Sequence, residues 1–92
     1  MNNSVSTAVS VNIENNGAWS SMMLVFQLPN HVDVDSFVSG FQDMLQHFLQ
    51  SDLKDKMPAD AIVMAVIATM QCQMPFEFLA TKADTVVIHK TN

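Results

Sequence analysis

The residues best suited to metal or acid–base chemistry stand together at positions 31–35, which read His-Val-Asp-Val-Asp. In an extended backbone, His31, Asp33 and Asp35 would point to the same side and could share a metal ion. A firm site needs three or four ligands held by supporting groups, and the other two histidines, His47 and His89, have no partner at ligand spacing. Because aspartates also cap helices, we expect Asp33 or Asp35 to cap one. We predict neither a metal nor a cofactor.

Cys72 is the single cysteine of the chain, so it cannot form an internal disulfide. A cysteine beside a histidine forms the nucleophile–base pair of many hydrolases, but the sequence places no histidine next to this one. Cys72 sits inside an apolar run, and burial without basic neighbours keeps a thiol protonated and unreactive. We therefore expect a buried, inert thiol and a reducing compartment.

Other catalytic signatures do not occur in the sequence. Gly17 and Gly40 are the only glycines, so the chain can form neither a Gly-rich phosphate loop nor a Gly-x-Ser-x-Gly nucleophile elbow. Closely spaced acids such as Asp52 and Asp55 would suit general acid–base catalysis, but a solvated loop explains them more simply. We predict that the protein is not an enzyme.

The charge balance argues against nucleic acid as a partner. The net charge is −5, with four lysines and no arginine, the residue that best contacts phosphate. Six of the nine acids lie between Asp33 and Asp60, as in a nucleic-acid mimic, but Lys54 and Lys56 interrupt them. A solvated helix face explains this distribution better. We predict no direct binding to a nucleic-acid backbone.

The composition favours self-association. Hydrophobic residues make up 49% of the 92 residues and charged residues 14%, where globular domains average about 25% charged. Eight methionines add side chains that suit irregular cores and adaptable binding surfaces. Excess apolar surface is often buried against a second copy, so we expect a homo-oligomer, a dimer or higher. The alternative is a monomer with a Met-rich core.

The length and the apolar runs indicate one domain, residues 1–92, outside the membrane. The first four residues contain no basic region, and the longest apolar run, residues 61–68, is far shorter than the roughly 20 residues of a membrane span. We therefore expect a cytoplasmic protein with no membrane partner.

The clearest local pattern is an N-terminal β-hairpin. Residues 5–14 alternate between apolar and polar side chains, which predicts a half-buried strand, and Asn16-Gly17 favours a type I′ turn. With a two-residue loop, Asn15 faces Ala18, and the apolar side of the first strand lines up with Met22, Leu24 and Phe26. The register is therefore predicted residue by residue.

The second face of this hairpin is our candidate interface. It carries Trp19, Met23 and Val25 beside small and polar residues of the first strand, so it is half apolar. Trp is enriched at binding hot spots, and a tight turn lies next to this segment. We predict an interface formed by Trp19, Met22, Met23 and Val25.

Two helices follow the hairpin. Apolar residues at three- and four-residue steps from Val34 to Leu49 predict the first, and we expect Gly40 to allow its close approach to the sheet. Residues 58–73 are ambiguous, because length and alanines favour a helix while four β-branched residues are typical of a strand. We predict a helix that is covered on both sides, with a stripe of alanines and Cys72 packed closely against another element.

Two short strands, residues 76–81 and 85–90, complete the chain. The predicted fold class is α+β, a four-stranded antiparallel sheet in ββααββ order with two helices packed on one face.

Three functions remain open. The first is a non-enzymatic small interaction protein that binds and inhibits or modulates a larger protein partner, with the general character of small phage or mobile-element inhibitors. The second is an oligomer that binds or sequesters a small-molecule ligand at a subunit interface, with hydrogen bonds from Asn12, Ser21, Thr69 and Gln71. The third is a small dimeric α+β enzyme with His31 in its pocket.

Overall fold

The computed structural model describes residues 4–15, 18–82 and 88–89. In chain order the elements are β1 (Ser4–Asn15), β2 (Ala18–Pro29), α1 (Val34–Leu49), a single 3-10 turn (Asp52–Asp55), α2 (Ala59–Gln71), β3 (Glu77–Lys82) and the two-residue β4 (Ile88–His89). The fold is therefore α+β, with two helices and a three-stranded antiparallel sheet in the order β1–β2–β3. Within the described residues, neither α1 nor α2 is long and apolar enough to span a membrane.

The hairpin has the register that the alternation predicts. Asn15 pairs with Ala18, Val11 with Met22, and the pairing runs without interruption over twelve residues of each strand. Because alternate residues face opposite sides, one side of the hairpin is almost wholly buried and the other is exposed. The predicted Asn-Gly turn lies outside the described residues.

β3 pairs with the opposite edge of β2. The pairing shifts at Leu79, an extra residue between Phe78 and Ala80, which forms a β-bulge. β4 pairs with Ala18 and Trp19 of β2, so β3 and β4 follow each other along the same edge. Residues 83–87 lie outside the described part of the chain, and the predicted fourth strand over 85–90 and the ββααββ order stay predictions.

Phe26, at the centre of β2, joins the sheet to the helices. Its ring centroid lies 5.1 Å from that of Phe37 and 5.4 Å from that of Phe41, both on α1. Phe76, just before β3, and Phe78, within it, lie 5.6 and 5.5 Å from it. Tilted and edge-on ring pairs at these distances stabilise beyond the area they bury. This cluster fixes α1 on one face of the sheet.

Residues 59–71 form α2, so the helix prediction is confirmed. Its β-branched residues lie on the buried side, as Ile62, Val63, Val66 and Ile67 are each at most 2% exposed. Burial of these larger side chains removes more apolar area from water than burial of alanines would. The helix is therefore oriented by its branched residues, whose weak helix propensity tertiary packing overrides.

Three expectations about this region and α1 are wrong. The stripe of small residues is not packed closely: Ala61 and Ala65 are half-buried and Ala68 is exposed, so α2 is covered on one side only. Cys72 is exposed rather than buried, because the helix ends at Gln71 and the cysteine lies in the following turn. Gly40 permits no close approach, since a Cβ atom there would meet nothing within 4 Å.

Candidate functional site

The helices cover one face of the sheet, and the opposite face carries the candidate site. On the covered face, Val9, Leu24 and Phe26 are at most 2% exposed and belong to the core with residues of both helices. We call the opposite side the open face; its central residues are Ala8, Ser10, Trp19, Met23, Val25 and Ala80. The helix residues of the core cluster pack on the covered face, and none of this central group belongs to that cluster.

The pairing of the strands arranges this face in rows. Val25 lies between Ala8 of β1 and Ala80 of β3, and Met23 lies beside Ser10. Directly paired residues of neighbouring strands share a face, so small side chains flank Val25 on both sides, whereas Met23 pairs with Ser10 on β1 and with Lys82 on β3. The row of Val25 is therefore apolar and bordered by small side chains, and the adjacent row of Met23 is mixed.

Three of the four predicted interface residues share the open face. Trp19 is 37% exposed and Met23 is 42% exposed, while Val25 is half-buried. Met22 lies on the opposite side of β2, where it is 7% exposed and belongs to the core. Because successive residues of a strand point to opposite faces, Met22 cannot join its two neighbours in one surface.

Carboxylates mark the two ends of the open face. Glu14 pairs with Trp19 at one end, and Glu77 pairs with Gln27 at the other. The two rows are eight residues apart along β2, which corresponds to about 27 Å. Both glutamates are exposed, and the rows between them include the pair Asn12–Ser21, the row of Met23 with Ser10 and Lys82, and the apolar row of Val25.

A shallow groove borders the Trp19 end of this face. It has a volume of about 360 Å³. Its lining residues are Asn12, Glu14 and Trp19 from the hairpin and Gln46, Leu49 and Gln50 from the end of α1. The groove gives this end of the open face a mixed lining of amides, a carboxylate and apolar side chains.

Asp33 is a helix cap, as predicted. Its carboxylate accepts hydrogen bonds from the hydroxyl and the backbone N–H of Ser36, both at 2.9 Å. These two bonds, the hydroxyl bond first, lower the pKa of the carboxyl below its ordinary value. Within the described residues, no three His, Cys, Asp or Glu side chains lie close enough to share a metal ion.

The four polar residues suggested for a ligand are not brought together. Asn12 and Ser21 pair with each other on the hairpin. On α2, the Thr69 hydroxyl donates to the carbonyl of Ala65 at 2.8 Å. The Gln71 amide donates to the carbonyl of Phe76 at 3.4 Å, so both α2 side chains make bonds within their own region.

A second groove lies at the start of α2, at the margin of the covered face. It has a volume of about 510 Å³ and a mostly apolar lining. Met64, which is 48% exposed, lines it together with Met22 and Thr81. The sequence patterns did not indicate this groove, because it depends on where α2 packs against β2 and β3.

The sequence analysis placed Ala8 on the open face but missed Ala80. The predicted hairpin register pairs Ala8 with Val25, so the position of Ala8 on the open face follows from the alternation of β1. Ala80 depends on the β2–β3 register, which no sequence pattern specified.

No protein-family model, no curated protein and no solved structure matches the chain.

Proposed function

We propose that the protein is a non-enzymatic interaction protein whose open face binds a larger protein partner and inhibits or modulates it. One observation carries this proposal: Trp19 and Met23 stand exposed on the same sheet face as Val25, which lies between the small residues Ala8 and Ala80. Single exposed apolar residues are ordinary, but Trp and Met exposed on the same face of one strand are residue types enriched at interface centres.

The two exposed side chains offer enough apolar area to matter for binding. Burial of the exposed parts of a Trp and a Met at these fractions contributes about 4 kcal/mol, before the costs of association. Hot-spot residues typically cost about 2 kcal/mol or more when truncated. Trp19 and Met23 are therefore the anchors that we expect on this surface.

The shape and charge of the open face indicate the kind of partner. Small ligands bind in concave sites, whereas Val25 on this face is flanked by the small residues Ala8 and Ala80, which do not build the walls of a pocket. Glu14 and Glu77 at its ends favour lysines or arginines on the partner. We expect an apolar patch with basic residues on either side.

Two methionine substitutions test the proposal as a matched pair. Met23 on the open face and Met64 on α2 are similarly exposed, at 42% and 48%. Met23→Lys places a charge at the centre of the proposed interface, and Met64→Lys places the same charge on the other side of the molecule. We expect the first to weaken partner binding at least tenfold and the second to leave it unchanged.

The readout requires the partner, which a crosslink from the open face identifies. A photoreactive amino acid at Ala80, in the full chain expressed in its own cells, should capture one discrete protein, while the same residue at the exposed Asp43 of α1 should not. The affinity of that purified protein for both methionine variants is then measured by calorimetry. Equal binding by the wild type and Met23→Lys, with both folded by circular dichroism, would overturn the proposal.

The groove beside Met64 supports a second candidate function, the binding of a small apolar ligand. Its volume of about 510 Å³ is within the usual range of ligand pockets. Native mass spectrometry of freshly purified protein would show a discrete extra mass, and Met64→Lys should remove it. If Met23→Lys removed the extra mass and Met64→Lys did not, the ligand would lie elsewhere.

A further inference from the structure

β1 is an edge strand with few of the features that normally protect an edge. One side of it pairs with β2 over all twelve residues, and no strand in the described part of the chain pairs with the other side. In natural proteins, lysines, prolines, bulges or a short length prevent an edge strand from pairing with a strand of another chain. β1 contains neither lysine nor proline, its pairing has no bulge, and Glu14 is its only charged residue.

The register determines which backbone groups point outward. Asn15 and Ala18 enclose a two-residue loop, and the closing pair of such a hairpin is a hydrogen-bonded pair. Alternation then directs the backbone groups of odd-numbered β1 residues toward β2. The N–H and C=O groups of even-numbered residues, among them Ser6, Ala8 and Ser10, point away from it.

We infer that this outer edge pairs with β1 of a second copy, antiparallel about a two-fold axis, and joins two sheets into one of six strands. Antiparallel pairing of identical strands is self-complementary, which is the requirement for a symmetric dimer. With the axis at Val9, the even-numbered residues from Ser4 to Glu14 of both copies overlap completely. Such pairing forms roughly 12 hydrogen bonds between the copies, close to the number in a typical protein interface.

Val5 supports this register. It lies on the covered side of β1, where Val9, Val11 and Ile13 are at most 3% exposed, yet it is itself 37% exposed. With the axis at Val9, β1 of the second copy would run alongside Val5 and cover it, whereas Ile13, at 0% exposed, is already buried within its own chain. On the open face, Ser10 would lie opposite the partner's Ala8, so no like charges would meet.

Pairing at this edge would also double the proposed binding surface. A two-fold axis perpendicular to the sheet puts both open faces on the same side, with the two β2 strands three strand spacings apart, about 14 Å. The pairing itself does not depend on what the open face binds. The two proposals can therefore fail separately.

Charge substitutions on β1 test both the edge and the register. Ala8 and Ser10 are exposed, so charges there should not disturb the fold. A chain with Ala8→Lys and Ser10→Lys would place lysines opposite each other across the axis, and a chain with Ala8→Glu and Ser10→Glu would do the same with glutamates. We expect each variant alone to dissociate at least tenfold more readily than the wild type, and an equal mixture to form a heterodimer.

Sedimentation equilibrium of the full chain at micromolar concentration provides the measurement. The wild type should have about twice the 10.2 kDa mass of one chain. A monomeric wild type would overturn the inference, as would dimers of the two-lysine variant or a mixture that stays monomeric while both variants remain folded. Met23→Lys should leave the dimer intact, whatever its effect on partner binding.

Discussion

The rings of Phe26 and Phe37 meet nearly edge-on, with 5.1 Å between their centroids and 67° between their planes. Phe26 belongs to the central strand and Phe37 to the first half of α1, so this contact joins the two layers of the fold. Aromatic packing therefore holds β2 from the covered side of the sheet. Residues on its front, such as Met23, need not contribute to the core.

Truncation of Phe26 should therefore destabilise the whole domain. Phe26→Ala leaves a cavity in contact with four other phenylalanine rings and should cost about 3 to 5 kcal/mol. That is a large share of the 5 to 15 kcal/mol typical of a small domain. Urea denaturation followed by circular dichroism measures the loss. Phe48→Ala, at a half-buried position of α1, is the control and should cost clearly less.

Replacement of Gly40 by alanine should stabilise the protein. Gly40 lies inside α1, and the space around its Cα is open to 4 Å. Glycine costs up to about 1 kcal/mol relative to alanine inside a helix, so Gly40→Ala should raise the free energy of unfolding by roughly that amount. Thermal denaturation should show a melting temperature higher by several degrees. A lower melting temperature would mean that α1 does pack closely at this position.

Local periodicity carried most of the correct sequence predictions. The two-residue period of β1 and the Asn-Gly pair specify the hairpin register, because a slip of one residue would expose Val9 and Val11. The repeat of apolar residues identifies α1 in the same way. The prediction that Met22 belongs to the interface broke the two-residue period of the strand. By that period, Met22 faces the side opposite to Trp19 and Met23.

Long-range packing explains what the sequence could not predict. The bulge at Leu79 and the row of Val25 with Ala80 depend on a strand about 55 residues away from β2 along the chain. Helix propensity shows that Gly40 destabilises α1, but it cannot show whether a neighbouring element packs closely against this position. The exposure of Cys72 depends on where α2 ends, which is the least certain feature of a helix in sequence.

The Asp33 cap should make stability depend on acid pH. Its pKa is lowered from 3.8 by the hydroxyl and then the backbone N–H of Ser36, so the folded state holds the carboxyl ionised to lower pH than the unfolded state does. The stabilisation is complete above the unfolded pKa and is lost as the pH falls through the folded pKa. Asp33→Asn keeps a capping oxygen that does not titrate. Between about pH 5 and about pH 2, its melting temperature should fall less steeply than that of the wild type. Parallel curves would contradict the role of this carboxylate.

Cys72 should react with thiol reagents in the folded protein. It is the only cysteine and lies exposed in the turn after α2. Its modification by a disulfide reagent should proceed in native buffer at a rate within about tenfold of that in denaturant, because no opening of the fold is required. A rate slower by several orders of magnitude would show that the thiol is covered, and the unmodified Cys72→Ser variant serves as the blank.

Trp19, the single tryptophan, should report directly on occupation of the open face. Its ring is partly exposed on that face, whereas Cys72 follows α2 and belongs to a different part of the surface. Binding of a protein partner should shift the emission of Trp19 to shorter wavelength and reduce its quenching by acrylamide several-fold, because the ring leaves water. The reaction rate of Cys72 should stay the same in that complex. Loss of Cys72 reactivity with unchanged Trp19 quenching would place the partner on α2 instead, and the open face would then have no part in its recognition.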